Sequence, residues 1–169
     1  MGMEEYFQGK RMKDDGICRF YELRKGEPVN FSATEALDWA KDIIKELEEG
    51  IMENDFSDIA NPHFLASGYV KKGVGGKFGD YLMVHGDLEL TYRTYCVKSG
   101  EPMLTKLDLD IRVCCIDDEN KDKFELEDEL IIYLEEEEYE LFFFDGKKAN
   151  LGEIIRELIL LEKDDYPTL

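Results

Sequence analysis

The 169-residue sequence has little basic charge and no long apolar run. It holds 40 acidic and 21 basic side chains, for a formal net charge of −19. A chain with this excess repels phosphate backbones at long range, which argues against non-specific nucleic-acid binding. No stretch approaches the roughly 20 apolar residues of a membrane helix, and no signal segment opens the chain. We therefore expect a cytoplasmic protein without a membrane partner.

Cysteine and histidine are also scarce. The four cysteines, at positions 18, 96, 114 and 115, include no C-x-x-C pair and no zinc-ligand spacing. They are typical of reduced cysteines used as small core residues. A cysteine nucleophile would need His63 or His85 as its base, and strand periodicity places His85 on the face opposite Cys96. The sequence thus predicts no catalytic residues, cofactor, metal or small-molecule substrate, with a cysteine enzyme as the less favoured alternative.

The clearest structural signal is a double alternation between Tyr81 and Ile116. Apolar and polar residues alternate in both arms, which is typical of strands with one buried face. The intervening stretch 98–102 contains Gly and Pro, so a β-hairpin is predicted. The expected buried residues are Leu82, Val84, Leu88, Leu90, Tyr92 and Cys96 in the first arm, and Met103, Leu107, Leu109, Ile111, Val113 and Cys115 in the second.

Two amphipathic helices accompany the predicted strands. Ser32 and Glu35 fit a capping box ahead of the first helix, which Gly50 ends. Asn150 and Glu153 begin the second, whose predicted apolar face is Leu151, Ile154, Ile155, Leu158 and Leu161. Shorter strands are predicted over 17–23, 64–70, 130–134 and 139–144, with a charged connection over 117–129 and a bend over 135–138. This order predicts an α+β class, with an antiparallel sheet or half-open β-barrel packed by two amphipathic helices.

The ends of the chain lack periodicity. Residues 1–16 mix charges with glycine, and the string YFQG within them resembles part of a tag-removal site. We therefore expect a disordered or tag-derived start, followed by a single α+β domain over 17–169. Residues 164–169 are expected to fray from the second helix.

Charge is distributed unevenly along the sequence. Residues 61–115 hold six acidic and seven basic side chains, between two acidic flanks. The glycine-rich stretch 71–79 contains lysines but lacks the Ser or Thr and the following helix of a phosphate-binding loop, so a hairpin tip is predicted. The candidate partner contacts are Lys71, Lys72, Lys77, Arg93 and Lys98, each of which could equally be an ordinary solubilising charge.

The hairpin turn carries a motif, CVKSGEPM over 96–103, preceded by HGDLELTYRTY. It resembles the YceD family, the large ribosomal RNA subunit accumulation proteins of bacteria and plastids. In that family a strand ends in Cys-x-x-Cys, a Gly or Leu, a charged residue and Pro. Cys96, Gly100 and Pro102 match this turn, and Gly86 matches a glycine of the preceding strand. RFYELRKGEPVNF and NLGEIIRELILL are similar to the family's opening and to its closing helix, which leads to a proline.

Ser99 stands where the family has its second cysteine. A metal or redox pair therefore cannot form at this turn, and Cys96 with Ser99 is expected to be structural. Many members of that family continue past the closing helix into a cysteine-rich tail, which the given sequence does not include.

The resemblance implies a non-enzymatic role in ribosome biogenesis, through accumulation of large-subunit ribosomal RNA. Because the net charge does not suit a direct grip on bare RNA, the expected partner is a basic ribosomal protein, or RNA touched through the neutral hairpin region. The alternative is an acidic protein-interaction module unrelated to ribosomes, which would occupy a basic protein surface as nucleic acid does. The sequence leaves the oligomeric state open.

Overall fold

A computed structural model describes residues 11–73, 79–117, 131–134, 137–144 and 147–169. Within these ranges the chain is α+β, as predicted. The strands are β1 (Ile17–Arg19), β2 (Val29–Thr34), β3 (His63–Gly73), β4 (Tyr81–Tyr95), β5 (Pro102–Asp117), β6 (Ile131–Leu134), β7 (Glu137–Phe144) and β8 (Lys148–Asn150). The helices are α1 (Asp38–Leu47) and α2 (Leu151–Glu162), with short 3-10 helices at Phe20–Glu22 and Glu53–Phe56.

Six strands form one open sheet in the order β2-β3-β4-β5-β7-β6. Neighbouring strands are antiparallel except β5 and β7, which run parallel. Among the described strands, β2 and β6 are the edges of the sheet. Of the two predicted arrangements, an open sheet and a half-open barrel, the structure therefore has the open sheet. β1 and β8 pair separately as a short antiparallel ribbon. The sequence pattern predicts neither the parallel pair nor this ribbon.

The predicted hairpin is confirmed. β4 and β5 pair from Tyr81 opposite Ile116 to Tyr95 opposite Pro102. Residues 96–101 connect the strands, and Gly100 has a φ of 72°, a left-handed conformation that favours glycine. The apolar face of β4 is at most 3% exposed at Leu82, Val84, Leu88, Leu90 and Tyr92. In β5 the second half is buried as predicted, whereas Met103, Leu107 and Leu109 are only half-buried.

Apolar clusters lie on both faces of the sheet. The larger joins side chains of β2, β3, β4 and β5 with those of both helices and of β1. The smaller consists of Cys114, Ile116, Tyr139 and Leu141. Because successive strand residues point to opposite faces, Cys114 enters the smaller cluster and Cys115 the larger, as the vicinal pair predicts. All four cysteines are free and buried.

Two glycines let β3 and β4 approach closely beneath an aromatic ring. Gly68 pairs with Gly86 on one side and with Phe31 on the other. A Cβ atom on Gly86 would clash with the carbonyl oxygen of Ser67 and lie 3.1 Å from Phe31 Cζ. Packing therefore explains the glycine that matches the family's strand.

The capping box predicted at Ser32 is wrong. Ser32 and Thr34 lie in β2, where every second residue is buried, and α1 begins at Asp38 without a side-chain cap. Glu35 Oε2 instead accepts a hydrogen bond from Phe64 N at 3.3 Å. The Ser-x-x-Glu spacing is short enough to occur by chance at the end of a strand, and here it obscured the period-two pattern.

Other predicted boundaries shift by smaller amounts. The strand expected over 17–23 ends at residue 19 and gives way to a 3-10 helix. The cap of α2 is confirmed, since Asn150 Oδ1 accepts from Glu153 N at 3.2 Å. Its apolar face differs, because Leu161 is 64% exposed and Ile159 is fully buried. The bend expected over 135–138 is wrong for residues 137 and 138, which belong to β7.

Residues 11–16 pack against the rest of the fold. Met12 N donates to Asn30 O at 2.9 Å, and the Met12 side chain contacts the larger cluster. Leu151 N donates to Gly16 O at 2.7 Å. Residues 11–16 thus have defined contacts with the folded domain, and a tag-derived origin of the start stays a prediction. Residues 1–10 lie outside the described ranges.

An ion pair and an aromatic ring hold α1 and α2 together. Arg156 donates to both carboxylate oxygens of Glu46, each at 2.6 Å. The Trp39 ring lies against Gly152, where a Cβ atom would be 3.2 Å from it, and meets Phe64 edge-on at 5.7 Å between ring centroids. Trp39 is thus fixed between α2 and β3, whereas its sequence position predicts only the edge of an apolar stripe.

Arg93 ties β4 to the segment that follows α1. Its guanidinium donates to both carboxylate oxygens of Glu48 at 2.8 Å, and its Nη1 donates to Glu53 at 2.9 Å. The side chains of Arg93 and Glu48 are 14% and 8% exposed. The hydrogen bonds that Arg93 donates to Glu48, and next those to Glu53, hold the pKa of Arg93 above its usual range. Two residues on, the Tyr95 hydroxyl donates to Asp55 at 2.7 Å.

Replacing Arg93 with Ala is expected to lower the free energy of unfolding by about 3 kcal/mol, because the buried Glu48 carboxylate loses its countercharge. Chemical denaturation measures the change. The matched control is Lys106→Ala, since the Lys106–Asp108 pair spans 3.6 Å between side chains that are 65% and 58% exposed. The control should cost less than about 1 kcal/mol, and equal losses for both variants would contradict the structural role of Arg93.

Candidate interaction surface

The cations predicted as partner contacts do not form one surface. Lys71 lies opposite Met83 near the start of β4, whereas Lys98 is exposed in the turn that follows β4. At about 3.3 Å per residue, roughly 40 Å of strand separates them. Lys72 Nζ lies 4.2 Å from the centre of the Phe20 ring, so its charge already makes a cation–π contact within the fold.

The remaining two predicted contacts differ in outcome. The Arg93 guanidinium is bound within the fold by Glu48 and Glu53, and its contact with a partner stays a prediction. Lys77 lies outside the described residues. Lys71 and Lys98 therefore stand as isolated positions at opposite ends of the hairpin.

The motif turn folds around Cys96. Its backbone N donates to Glu101 O at 2.8 Å, and its carbonyl accepts from Gly100 N at 2.7 Å. Ser99 Oγ accepts from Glu101 N at 3.3 Å, and Pro102 begins β5. The Ser99 hydroxyl thus helps to close the turn.

The end of the chain lies across this turn. Val97 N donates to Pro167 O at 2.9 Å, and Leu169 N donates to Cys96 Sγ at 3.4 Å. The expectation that residues 164–169 fray is therefore wrong for Pro167 and Leu169. A proline after the closing helix and the cysteine turn, which are far apart in sequence, form one local structure.

Hydrogen bonds lower the pKa of the Cys96 thiol to about 7. The Ser99 hydroxyl has the largest effect, followed by the backbone N–H groups of Leu169, Ser99 and Lys98. Donors aimed at sulfur favour the thiolate over the thiol. Burial instead raises the pKa of Cys18 to about 11 and that of Cys114 to about 12.

Replacing Ser99 with Ala removes the principal donor and is expected to raise the pKa of Cys96 from about 7 toward the ordinary thiol range. The pH dependence of Cys96 alkylation, followed by mass spectrometry of its peptide, measures this shift. At neutral pH the variant should react more slowly than the wild type if exposure is unchanged. Ser57→Ala, at an exposed site remote from the turn in sequence, is the control. An unchanged midpoint in the Ser99 variant would show that the hydroxyl does not stabilise the thiolate.

The cysteine and histidine considered for catalysis are not brought together. Cys96 follows the end of β4, and His85 lies eleven residues earlier, about 35 Å along the strand. The His85 ring stacks on Tyr69 with 5.1 Å between centroids and hydrogen-bonds to Tyr139 Oη at 2.8 Å. Burial lowers the pKa of His85, which favours the neutral ring. These contacts are those of a packed histidine.

The exposed face of β4 and β5 carries four carboxylates, which we call the acidic face: Asp87, Glu89, Asp108 and Asp110. Asp87 is directly opposite Asp110, and Glu89 is directly opposite Asp108. The two pairs are adjacent on the same side of the sheet, since they are two residues apart. With side chains of β3 they line a shallow groove of about 540 Å³.

Lys106 and Arg112 border the acidic face on β5, each two residues from one of its carboxylates. Among the described residues only Lys106 lies within 4 Å of one of its carboxylates, at 3.6 Å from Asp108. Like charges directly opposite each other destabilise a sheet by an amount on the order of 0.2–1 kcal/mol per pair. The arrangement therefore weakens the fold and favours occupation by cationic groups. Sequence alternation places these residues on the polar face, but only the hairpin register shows that they oppose each other.

No family model, curated protein or solved structure matches this chain. In the described part of the chain, no three His, Cys, Asp or Glu side chains are grouped so that they could hold a metal ion. Neither α1 nor α2 is long and apolar enough to span a membrane.

Proposed function

We propose that this chain is a non-enzymatic factor in the accumulation of large-subunit ribosomal RNA, acting in the bacterial cytoplasm. Its acidic face binds a basic ribosomal protein. The observation that carries the proposal is the opposition of Asp87 to Asp110 and of Glu89 to Asp108 across one exposed sheet face. Lysine and arginine side chains of a partner would relieve this repulsion when they bind.

The physical role of the acidic face follows from its charge. Four carboxylates on a rigid sheet create a local negative field that raises the association rate of a cationic partner. Unliganded ribosomal proteins are rich in Lys and Arg because they bind phosphate backbones, so they have the complementary charge. An acidic protein can cover such a surface until RNA replaces it.

The motif turn supports the ribosomal role. Cys96, Gly100 and Pro102, which resemble the family's turn, close the end of the long hairpin. Pro167, which follows the family-like closing helix, is hydrogen-bonded to that turn through Val97. Segments that resemble the family at distant places in the sequence therefore meet in space.

The second candidate is an acidic interaction module unrelated to ribosomes. The acidic face suits this function equally well, because a cationic surface of any basic protein could occupy it. Identification of the partner separates the two: ribosomal proteins support the first proposal, and a DNA-binding protein supports the second.

The double variant Asp87→Asn, Asp110→Asn is expected to retain less of the basic partner than the wild type does. Co-purification with mass spectrometry measures the retained protein. The variant should also resist denaturant slightly better, by up to about 1 kcal/mol, since it removes an opposed pair of charges. The control, Asp42→Asn with Asp58→Asn, removes two exposed charges outside the acidic face. Equal retention by both double variants would reject the acidic face as the binding surface.

Depletion of the protein from cells is expected to reduce mature large-subunit RNA and to accumulate its precursors. Ribosome profiles and precursor RNA levels measure the effect. Complementation with the wild-type chain should restore both, whereas the Asp87, Asp110 double variant should restore them less. Normal RNA and normal profiles after depletion would reject the ribosomal role.

A further inference from the structure

Basic residues from three distant parts of the sequence gather around the β1–β8 ribbon. Arg19 in β1 is directly opposite Lys148 in β8, so the two side chains share one face of the ribbon. Lys25 forms a bridge with Lys72 of β3. Over residues 11–25 the chain has five basic and three acidic side chains, although its net charge is −19. The segment 11–25 is therefore locally basic in a chain that is acidic as a whole.

A cavity of about 540 Å³ lies in this region. Four cations line it, Arg11, Lys13, Arg19 and Arg24, and one carboxylate, Glu22. The rest of the wall is apolar or aromatic. Within the described ranges, no carboxylate lies within 4 Å of the charged groups of Arg11, Lys13 or Arg24. Cations therefore outnumber carboxylates in the wall of this cavity.

Arg19 supplies the most specific feature of the cavity. Its Nη2 lies 3.6 Å from Asp15 Oδ2, a distance that leaves the ion pair loose. Its Nη1 is buried and has no hydrogen-bond partner among the described residues. The Arg19 side chain as a whole is 27% exposed and lines the cavity, so it is accessible to a ligand only in part.

Tyr21 places an aromatic ring beside these charges. It lines the same cavity and is 77% exposed, the largest exposed fraction among the large hydrophobic side chains described. Cations next to an exposed aromatic ring are the combination that binds nucleotides, since the cations meet the phosphate and the ring stacks on the base.

The acidic face does not prevent anion binding at this cavity. Arg11 borders Asn30 of β2, and β3 separates β2 from the Asp87 strand. Three strand spacings amount to about 14 Å. The Debye length in physiological salt is about 8 Å, so repulsion from the acidic face is largely screened there.

We propose that this cavity binds a nucleotide phosphate at Arg11, Lys13, Arg19 and Arg24, with the base stacked on Tyr21. The phosphate could come from single-stranded RNA or from a free nucleotide. As an RNA contact, the site rests on the proposed function and gives this acidic chain a route to RNA that is separate from the hairpin.

The test is fluorescence anisotropy of a labelled ten-nucleotide single-stranded RNA with the full chain, at two salt concentrations. The variant Lys13→Ala, Arg24→Ala is expected to weaken binding at least tenfold and to reduce its salt dependence, because two phosphate contacts are lost. Tyr21→Ala should weaken binding roughly fivefold or more, with less change in salt dependence. Lys41→Ala with Lys45→Ala, on the exposed side of α1, is the charge-matched control.

Competition with adenosine monophosphate distinguishes the sources. Equal displacement by the mononucleotide assigns the cavity to a free nucleotide, and displacement only by oligonucleotide assigns it to RNA. Absence of salt-dependent binding, or equal losses in the Lys13, Arg24 variant and the control, would overturn the proposal. Thermal unfolding of each variant shows whether a loss of binding comes from a loss of fold.

The outcomes remain separable from the ribosomal proposal. If the purified chain binds nucleotide but depleted cells have normal ribosomal RNA, the ribosomal role is rejected and the nucleotide site is supported. If depleted cells have a defect in ribosomal RNA but the purified chain binds no nucleotide, the ribosomal role is supported and the nucleotide site is rejected.

Discussion

The pairing of β4 with β5 is the constraint on which the rest of this structure depends. Its ladder runs from Tyr81 and Ile116 to Tyr95 and Pro102 and sets which side chain opposes which. One face of this ladder supplies the middle of the larger apolar cluster. The other face brings the carboxylates of the acidic face into opposition. A shift of one residue would exchange the two faces, so burial of the apolar side chains also fixes the surface charge pattern.

Sequence periodicity predicts this hairpin well because alternation persists over two long arms. It also predicts the cap of α2, where Asn150 and Glu153 have a direct local interaction. It fails at β2, since a Ser-x-x-Glu spacing has two competing interpretations and only the pairing with β3 decides between them. The parallel pairing of β5 with β7 is non-local, and local patterns contain no information about it.

The candidate surfaces show the same division. The sequence alternation places the residues of the acidic face on the polar side of the hairpin. It does not give the register of β4 against β5, which determines that they oppose each other. Sequence spacing does not show which of the predicted cations are paired within the fold. Arg93 binds Glu48 because the chain turns after α1 and returns to the sheet. The basic cavity is built around β1, a strand of only three residues, and the segments on either side of it. Short strands give too little alternation to be recognised.

The parallel placement of β7 beside β5 has a consequence for the order of assembly. The hairpin closes through local contacts, which form in microseconds, whereas β7 must return from beyond Asp117 before it can pair. Cys114 and Ile116 depend on Tyr139 and Leu141 of β7 for their cover, while Cys115 lies in the larger cluster on the opposite face. The two vicinal thiols therefore lie in different apolar clusters, and β7 contributes to the cover of both, through Tyr139 and Leu141 on one face and through Phe144 on the other.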